Sequence, residues 1–179
     1  MSQKDVVVAD IWLISDTHYG HANVLKFTNN DGSLIRGARF SCLEEMDEHL
    51  VDQWNKVVKD EDKIYHLGDV YFGQGHQVLH RLKGHKRLIL GNHDNGKDQN
   101  LHKHFEKIEV WRIFKEFNML LTHVPVHEGS LEYKVKCNVH GHLHQHLVND
   151  PRYYNVSVEQ IDYRPIHIED VANQLKARF

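Results

Sequence analysis

Seventeen of the 179 residues are histidine, and they are scattered along the chain rather than gathered into a tag. Imidazole is the commonest metal ligand among side chains, so the first question is whether these histidines fall into a pattern with other donors. Five short segments hold one: Ser15-Asp16-Thr17-His18, Leu67-Gly68-Asp69, Gly91-Asn92-His93-Asp94, Thr122-His123 and His140-Gly141-His142-Leu143-His144. They differ in weight. At this composition an Asp-x-His arises by chance about once per chain and a Gly-His-x-His at about 0.1, whereas Gly-Asn-His-Asp/Glu arises at about 0.01. The third segment is therefore the informative one, and drift does not explain five in this order. Their donors are carboxylate, amide and imidazole, a set that suits Mn²⁺, Fe²⁺ or Zn²⁺ and gives no reason to invoke copper or clusters. Neither Cys42 nor Cys137 belongs to a Cys-x-x-Cys pair, so thiolate sites are not expected.

Such donors act only if the fold gathers them. Strand-like apolar runs cover residues 6–15, 63–67, 87–90, 110–114, 118–122, 137–139 and 154–158. Asp16, Asp69, Asn92 and His123 each come just after one of these runs, and ligands of α/β sheets collect beyond the carboxyl ends of strands. In an extended strand residues two apart share a face, so Asp16 and His18 are expected to grip one ion together. Leu43, Met46, Leu50, Trp54 and Val57 recur at helical spacing, and Ser41 with Glu44 reads as a capping box. Residues 77–82 predict a shorter helix, and Ile168, Val171, Leu175 and Phe179 a closing one. Strand–helix alternation in the first half and strands in the second predict an α/β domain with mixed sheets and outer helices. With no repeat, low-complexity tract or linker, residues 1–179 read as one domain.

Composition narrows the function classes. Hydrophobic residues make up 40% and charged residues 26%, ordinary for a soluble globular chain, and no apolar run approaches a membrane span. The start lacks a basic n-region and reads as a strand rather than a secretion signal. The net charge of −3 comes without a Lys/Arg block, which argues against avid nucleic-acid binding. Two cysteines make no disulfide framework, so the cytoplasm is the expected compartment.

Taken together, the five segments resemble the characteristic blocks of the calcineurin-like metallophosphoesterase superfamily, and the run DTHYGHAN from Asp16 to Asn23 resembles its small single-domain bacterial and phage branch. The resemblance spans residues 11–144. It implies an α/β fold of two mixed β-sheets packed as a sandwich and flanked by helices, with a dinuclear metal centre at one sheet edge. Asp16, His18 and His144 would hold one divalent ion, and Asn92, His123 and His142 the second, with Asp69 bridging the pair. Mn²⁺ is favoured, with Fe²⁺, Zn²⁺ or Ni²⁺ as alternatives. The implied reaction is phosphoester hydrolysis: a hydroxide bridging the ions attacks phosphorus in line. His93, beside Asn92 but assigned to no ion, would protonate the departing alkoxide. Asp69 and His93 are thus the catalytic candidates, and Asn92 and His93 also face substrate.

Plainer readings compete at several positions. His21 borders the substrate phosphate or simply starts the helix after the first loop. Arg36 and Arg39 lie in the polar loop 29–40; guanidinium suits phosphate, but surface solubility is the more ordinary reading. His66 and His140 either orient ligands or pack, and Asp94 reads as structural. Ser/Thr phosphatases of the superfamily follow the second block with a further Asp and Arg, whereas here Val70-Tyr71-Phe72-Gly73 follows. The expected substrate is a small phosphodiester in preference to a phosphomonoester, possibly nucleotide-derived. The alternative is a non-catalytic metal-binding scaffold of the same fold. Neither a membrane partner nor a particular oligomeric state is implied.

Overall fold

The computed structural model describes residues 9–178; residues 6–8 of the first apolar run and Phe179 of the tail pattern lie outside them. Among the described residues, nine short strands form two mixed sheets. In the first, β1 (Ile11–Ile14), β2 (Lys63–His66), β3 (His85–Ile89) and β4 (Lys107–Glu109) run parallel, and β9 (Ile166–His167) pairs antiparallel to β1. The second has the order β5-β6-β7-β8, from β5 (Trp111–Phe114), β6 (Met119–Thr122), β7 (Cys137–His140) and β8 (Tyr153–Asn155). Strands β6, β7 and β8 are parallel and β5 is antiparallel to β6.

Alternation along the first sheet sorts its side chains into two cores, because successive strand residues point to opposite faces. Ile14, Ile64 and Leu88 face α1 (Leu43–Val57), packing with Met46, Leu50 and Trp54. Leu13, Tyr65 and Ile89 face the other way, meeting Met119, Leu121 and Val139 of the second sheet and Ile168 and Leu175 of α3 (Ile168–Lys176). A third apolar cluster, with Leu131 and Val135, covers the far side of the second sheet. The result is the expected sandwich of two mixed sheets flanked by helices.

Local details differ from the sequence reading. Helix α1 begins one residue later than a Ser41–Glu44 capping box would give: Cys42 is its N-cap, and Glu45 reaches back to the Ser41 backbone N–H at 2.8 Å and hydroxyl at 2.7 Å. The helix expected over 77–82 is a 3₁₀ segment, Gly73–Arg81. The run 110–114 is divided: Val110 separates β4 from β5 and changes the chain from one sheet to the other. Helix α2 (Gln99–His104) and β9 had no counterpart in the reading.

Candidate metal centre

The carboxyl ends of β1, β2, β3, β6 and β7 share one edge of the sandwich, and each of the five segments leaves one of those strands. The edges are laced together by backbone hydrogen bonds. Asp16 N–H donates to Gly68 O at 3.0 Å, His18 N–H to Asp69 O at 3.1 Å, and Gly141 N–H to His123 O at 2.8 Å. Ser15 N–H donates to Val156 O at 2.9 Å, which joins the first sheet to the segment after β8.

Two clusters result. Asp16, His18 and His144 bring one potential ligand atom each within 4.8 Å of one another, and Asp69, His123 and His142 do the same. The carboxylate of Asp69 lies between them, its Oδ2 3.8 Å from His18 Nε2 and 3.5 Å from His123 Nε2. The exposed Asn92 turns its Oδ1 to within 2.8 Å of His123 Nε2. The residues grouped by the sequence pattern thus stand together in the grouping expected of them.

The reason Asp16 meets His18 is not the one anticipated. Neither is in an extended strand: both lie beyond β1 with positive φ, 59° and 50°. Of the eight non-glycine residues with positive φ among the described residues, five are Asp16, His18, Asp69, His142 and His144. A left-handed backbone is costly for such side chains and persists where the surroundings over-determine it, commonly at functional sites. The glycines of the third and fifth segments have a steric reason. A Cβ on Gly91 would fall 2.2 Å from Asp69 Oδ1, and one on Gly141 2.4 Å from Asp16 Oδ2.

The donor atoms are prepared for a cation. Asp16 Oδ2 accepts from His142 N–H at 2.9 Å and Ser157 Oγ–H at 2.8 Å. Its Oδ1 is buried without a hydrogen-bond partner, as are both ring nitrogens of His18. Oδ1 lies 3.9 Å from His18 Nε2 and from His144 Nε2, too far for hydrogen bonds. Buried polar atoms are rarely left unpaired, and converging lone pairs are what a divalent ion takes. In the second cluster His123 Nδ1–H donates to Leu67 O at 2.7 Å, which directs the Nε2 lone pair toward Asn92 Oδ1. Two acceptors face each other there unless a cation or proton joins them.

Charge states differ among the donors. Burial, with Arg36 and His144 adding to it, holds His18 well below the ordinary imidazole range, so its ring is neutral. Burial pushes Asp16 up. Burial would raise Asp69 as well, but the hydrogen bond and charge of His123 pull it below the ordinary carboxylate range. Burial also works against protonating His123, yet Asp69 and Asp16 together raise it above its ordinary value.

The surroundings settle several ambiguous positions. His66 braces the first loop: Nε2–H donates to Thr17 Oγ1 at 2.9 Å, while Nδ1 accepts from Gly68 N–H at 3.2 Å. That tautomer follows from the Thr17 hydroxyl donating to Val70 O at 2.8 Å. The His140 ring donates from Nδ1 to its neighbour's carbonyl, Gly141 O, at 2.8 Å, and among the described residues it bonds no candidate ligand side chain. Asp94 clamps two loops by accepting from Asp69 and Gly91 N–H at 2.8 Å and from Val70 N–H at 3.0 Å. His21 stacks on Phe72 with centroids 4.2 Å apart, at the border of the first cluster. His93 is exposed, its backbone N–H donating to Asp69 Oδ1 at 3.0 Å.

Arg36 corrects both sequence readings, since it is neither a surface residue nor free to meet substrate. Its side chain is buried, donating from Nη2 to Asp16 O at 2.6 Å, from Nη1 to Thr17 O at 3.1 Å and from Nε to Glu159 Oε1 at 2.7 Å. Glu159, which no motif marked, also accepts from His144 Nδ1–H at 2.9 Å. Arg39 does lie at the surface, paired with Asp162.

No family model matches the chain. An uncharacterized protein of the archaeon Methanocaldococcus jannaschii is 34% identical over 171 residues, 89% of this chain and 87% of its own. The Gene 66 protein of Mycobacterium phage L5 is 25% identical over 175 residues, 79% of this chain and 80% of the phage protein. The crystal structure of a protein of unknown function from Aquifex aeolicus is similar at a TM-score of 0.72 and 26% identity, covering 93% of this chain and 99% of that one. At such identity and coverage, the chain belongs to the same family as the Methanocaldococcus jannaschii protein.

Proposed function

We propose that the chain is a dinuclear-metal phosphoester hydrolase of the calcineurin-like superfamily, acting on a small phosphodiester in preference to a monoester. The observation that carries this reading is the Asp69 carboxylate between two three-donor clusters. Two divalent ions held by these residues would polarise phosphoryl oxygens and supply a nucleophile at neutral pH; Mn²⁺ is the favoured ion. Asp16, His18 and His144 form one ligand set and Asn92, His123 and His142 the other. Asn92 and His93 are the exposed members of the site, so they are placed to touch the phosphoryl group. His93 would pass a proton to the departing oxygen, and its backbone bond to Asp69 fixes its position. The scaffold reading has nothing specific in its favour, because no donor of either set is missing.

Location in the cytoplasm belongs to the same reading. Among the described residues Cys42 and Cys137 are both unpaired, and no helix is long and apolar enough to cross a membrane.

The test is hydrolysis of bis(p-nitrophenyl) phosphate and p-nitrophenyl phosphate by metal-stripped protein, with Mn²⁺, Zn²⁺ or Ni²⁺ restored in turn. Faster diester cleavage that returns with metal and disappears in Asp69→Ala is expected. No hydrolysis with any ion, in protein that binds two ions per chain, would refute the reading.

A further inference from the structure

The geometry points to a specificity pocket for the ester group that stays on phosphorus: an apolar groove at the second cluster, shaped for a flat ring system. This inference rests on the phosphoesterase reading. The groove has a volume of about 830 Å³ and is lined in part by Asn92 and His123, the side chains that face each other in that cluster. It is therefore continuous with the site rather than a separate surface depression. Its size lies in the range of small-molecule sites, roughly 300–1,000 Å³.

The lining is unusual for this molecule. Seven large hydrophobic side chains are exposed among the described residues, and four of them, Val110, Trp111, Val124 and Tyr133, line this one groove. Single exposed apolar residues need no explanation, but several gathered in one place mark a binding surface. Trp111 and Tyr133 offer the aromatic faces on which a planar ring stacks. Among Asp, Glu, Lys and Arg, the lining holds Lys134 alone.

The placement of His93 decides which ester group goes there. Its ring packs on Phe72 at 5.2 Å and lies 6.1 Å from His18, on the side of the first cluster. The leaving oxygen departs on that side, where His93 can meet it. The P–O bond to it breaks, water's oxygen joins phosphorus, and the other ester bond, with its ring in the groove, stays intact.

The experiment compares kcat/KM of the Mn²⁺-loaded chain for benzyl p-nitrophenyl phosphate and methyl p-nitrophenyl phosphate, which share a leaving group. The benzyl ester is expected to be favoured at least tenfold, on the order of what burying one ring in an apolar pocket gives. Trp111→Ala, at a side chain 57% exposed and so removable without unfolding, should reduce that preference to about threefold or less. As a readout independent of turnover, benzyl phosphate should change tryptophan emission saturably in the wild type and not in Trp111→Phe. Equal kcat/KM for the two esters overturns the groove assignment while the phosphoesterase reading stands. Hydrolysis of neither ester overturns both. A concentration-dependent dimer that Trp111→Ala dissociates also overturns the assignment, because the groove then belongs to a second copy of the chain.

Discussion

At the scale of single residues, the oxygen Glu159 Oε1 joins Arg36 to His144 of the first cluster. It accepts from Arg36 Nε and from His144 Nδ1. Burial alone would raise this carboxyl, but the charges of Arg36 and His144 reverse that and draw it down to about 2. An ionised carboxylate on the far nitrogen of a ligating imidazole fixes its tautomer and raises its basicity. Glu159→Gln is therefore expected to weaken Mn²⁺ binding by about 10–100-fold in calorimetric titration; an unchanged affinity would remove Glu159 from the orientation of His144. Arg36→Ala strands that buried carboxylate and is expected to cost about 3–5 kcal/mol of stability in urea unfolding. His93 makes a separate prediction. If it delivers a proton, His93→Ala should slow an alkyl-ester leaving group by about 10²–10⁴-fold and a p-nitrophenolate, which needs no proton, far less. Equal effects on the two leaving groups would refute the acid role.

At the scale of elements, helix α1 is an anchor for the loop that carries Asp16 and His18. Asp47 on α1 accepts from Gly20 N–H at 3.0 Å, two residues past His18. Burial raises the Asp47 carboxyl to about 6, above its unfolded value of about 3.9, so the folded state binds the extra proton. The penalty for ionising it is absent below the unfolded value, grows as pH rises toward 6 and is then constant. Asp47→Asn keeps an oxygen for Gly20 N–H and removes the charge. Its stability relative to wild type should therefore climb between pH 4 and 6 and level off above, as measured by urea midpoints across that range. A relative stability independent of pH would contradict the shifted carboxyl. The same elements mark what a sequence can reveal. Helix α1 was legible because five apolar residues at helical spacing build its buried face, whereas α2 was not, because Leu101 is its one buried residue. The 3₁₀ segment was legible only over 77–82, because Gly73 and Gly75 at its start leave no helical signature. The donors were legible because they cluster in short local motifs. Glu159 and Arg36 were not: they meet across 123 residues of sequence, and polar loop composition says nothing about burial. For Asp16 and His18 the motif identified the pair, but strand periodicity supplied the wrong geometry, since left-handed backbone leaves no trace in residue spacing.

At the scale of the molecule, the two clusters are where the sheets of the sandwich meet. Asp16, His18 and Asp69 follow strands of the first sheet, and His123, His142 and His144 follow strands of the second. Each cluster takes ligands from both sheets, so an ion bound there is a cross-link that the unfolded chain cannot offer. Binding only the native state stabilises it by RT ln(1 + [L]/Kd), about 2.7 kcal/mol when the ion stands at a hundred times its dissociation constant. For a chain of this size each kcal/mol moves the unfolding midpoint by about 2–4 °C. Saturating Mn²⁺ is accordingly expected to raise Tm by about 5–10 °C over chelated protein in differential scanning calorimetry. Asp69→Ala, which removes the carboxylate lying between the two clusters, should lose most of that gain while keeping both sheets. Unchanged midpoints with Mn²⁺, Zn²⁺ and Ni²⁺ would mean that protons and internal hydrogen bonds, rather than ions, satisfy this edge of the sandwich, and the dinuclear reading would fall with the cross-link.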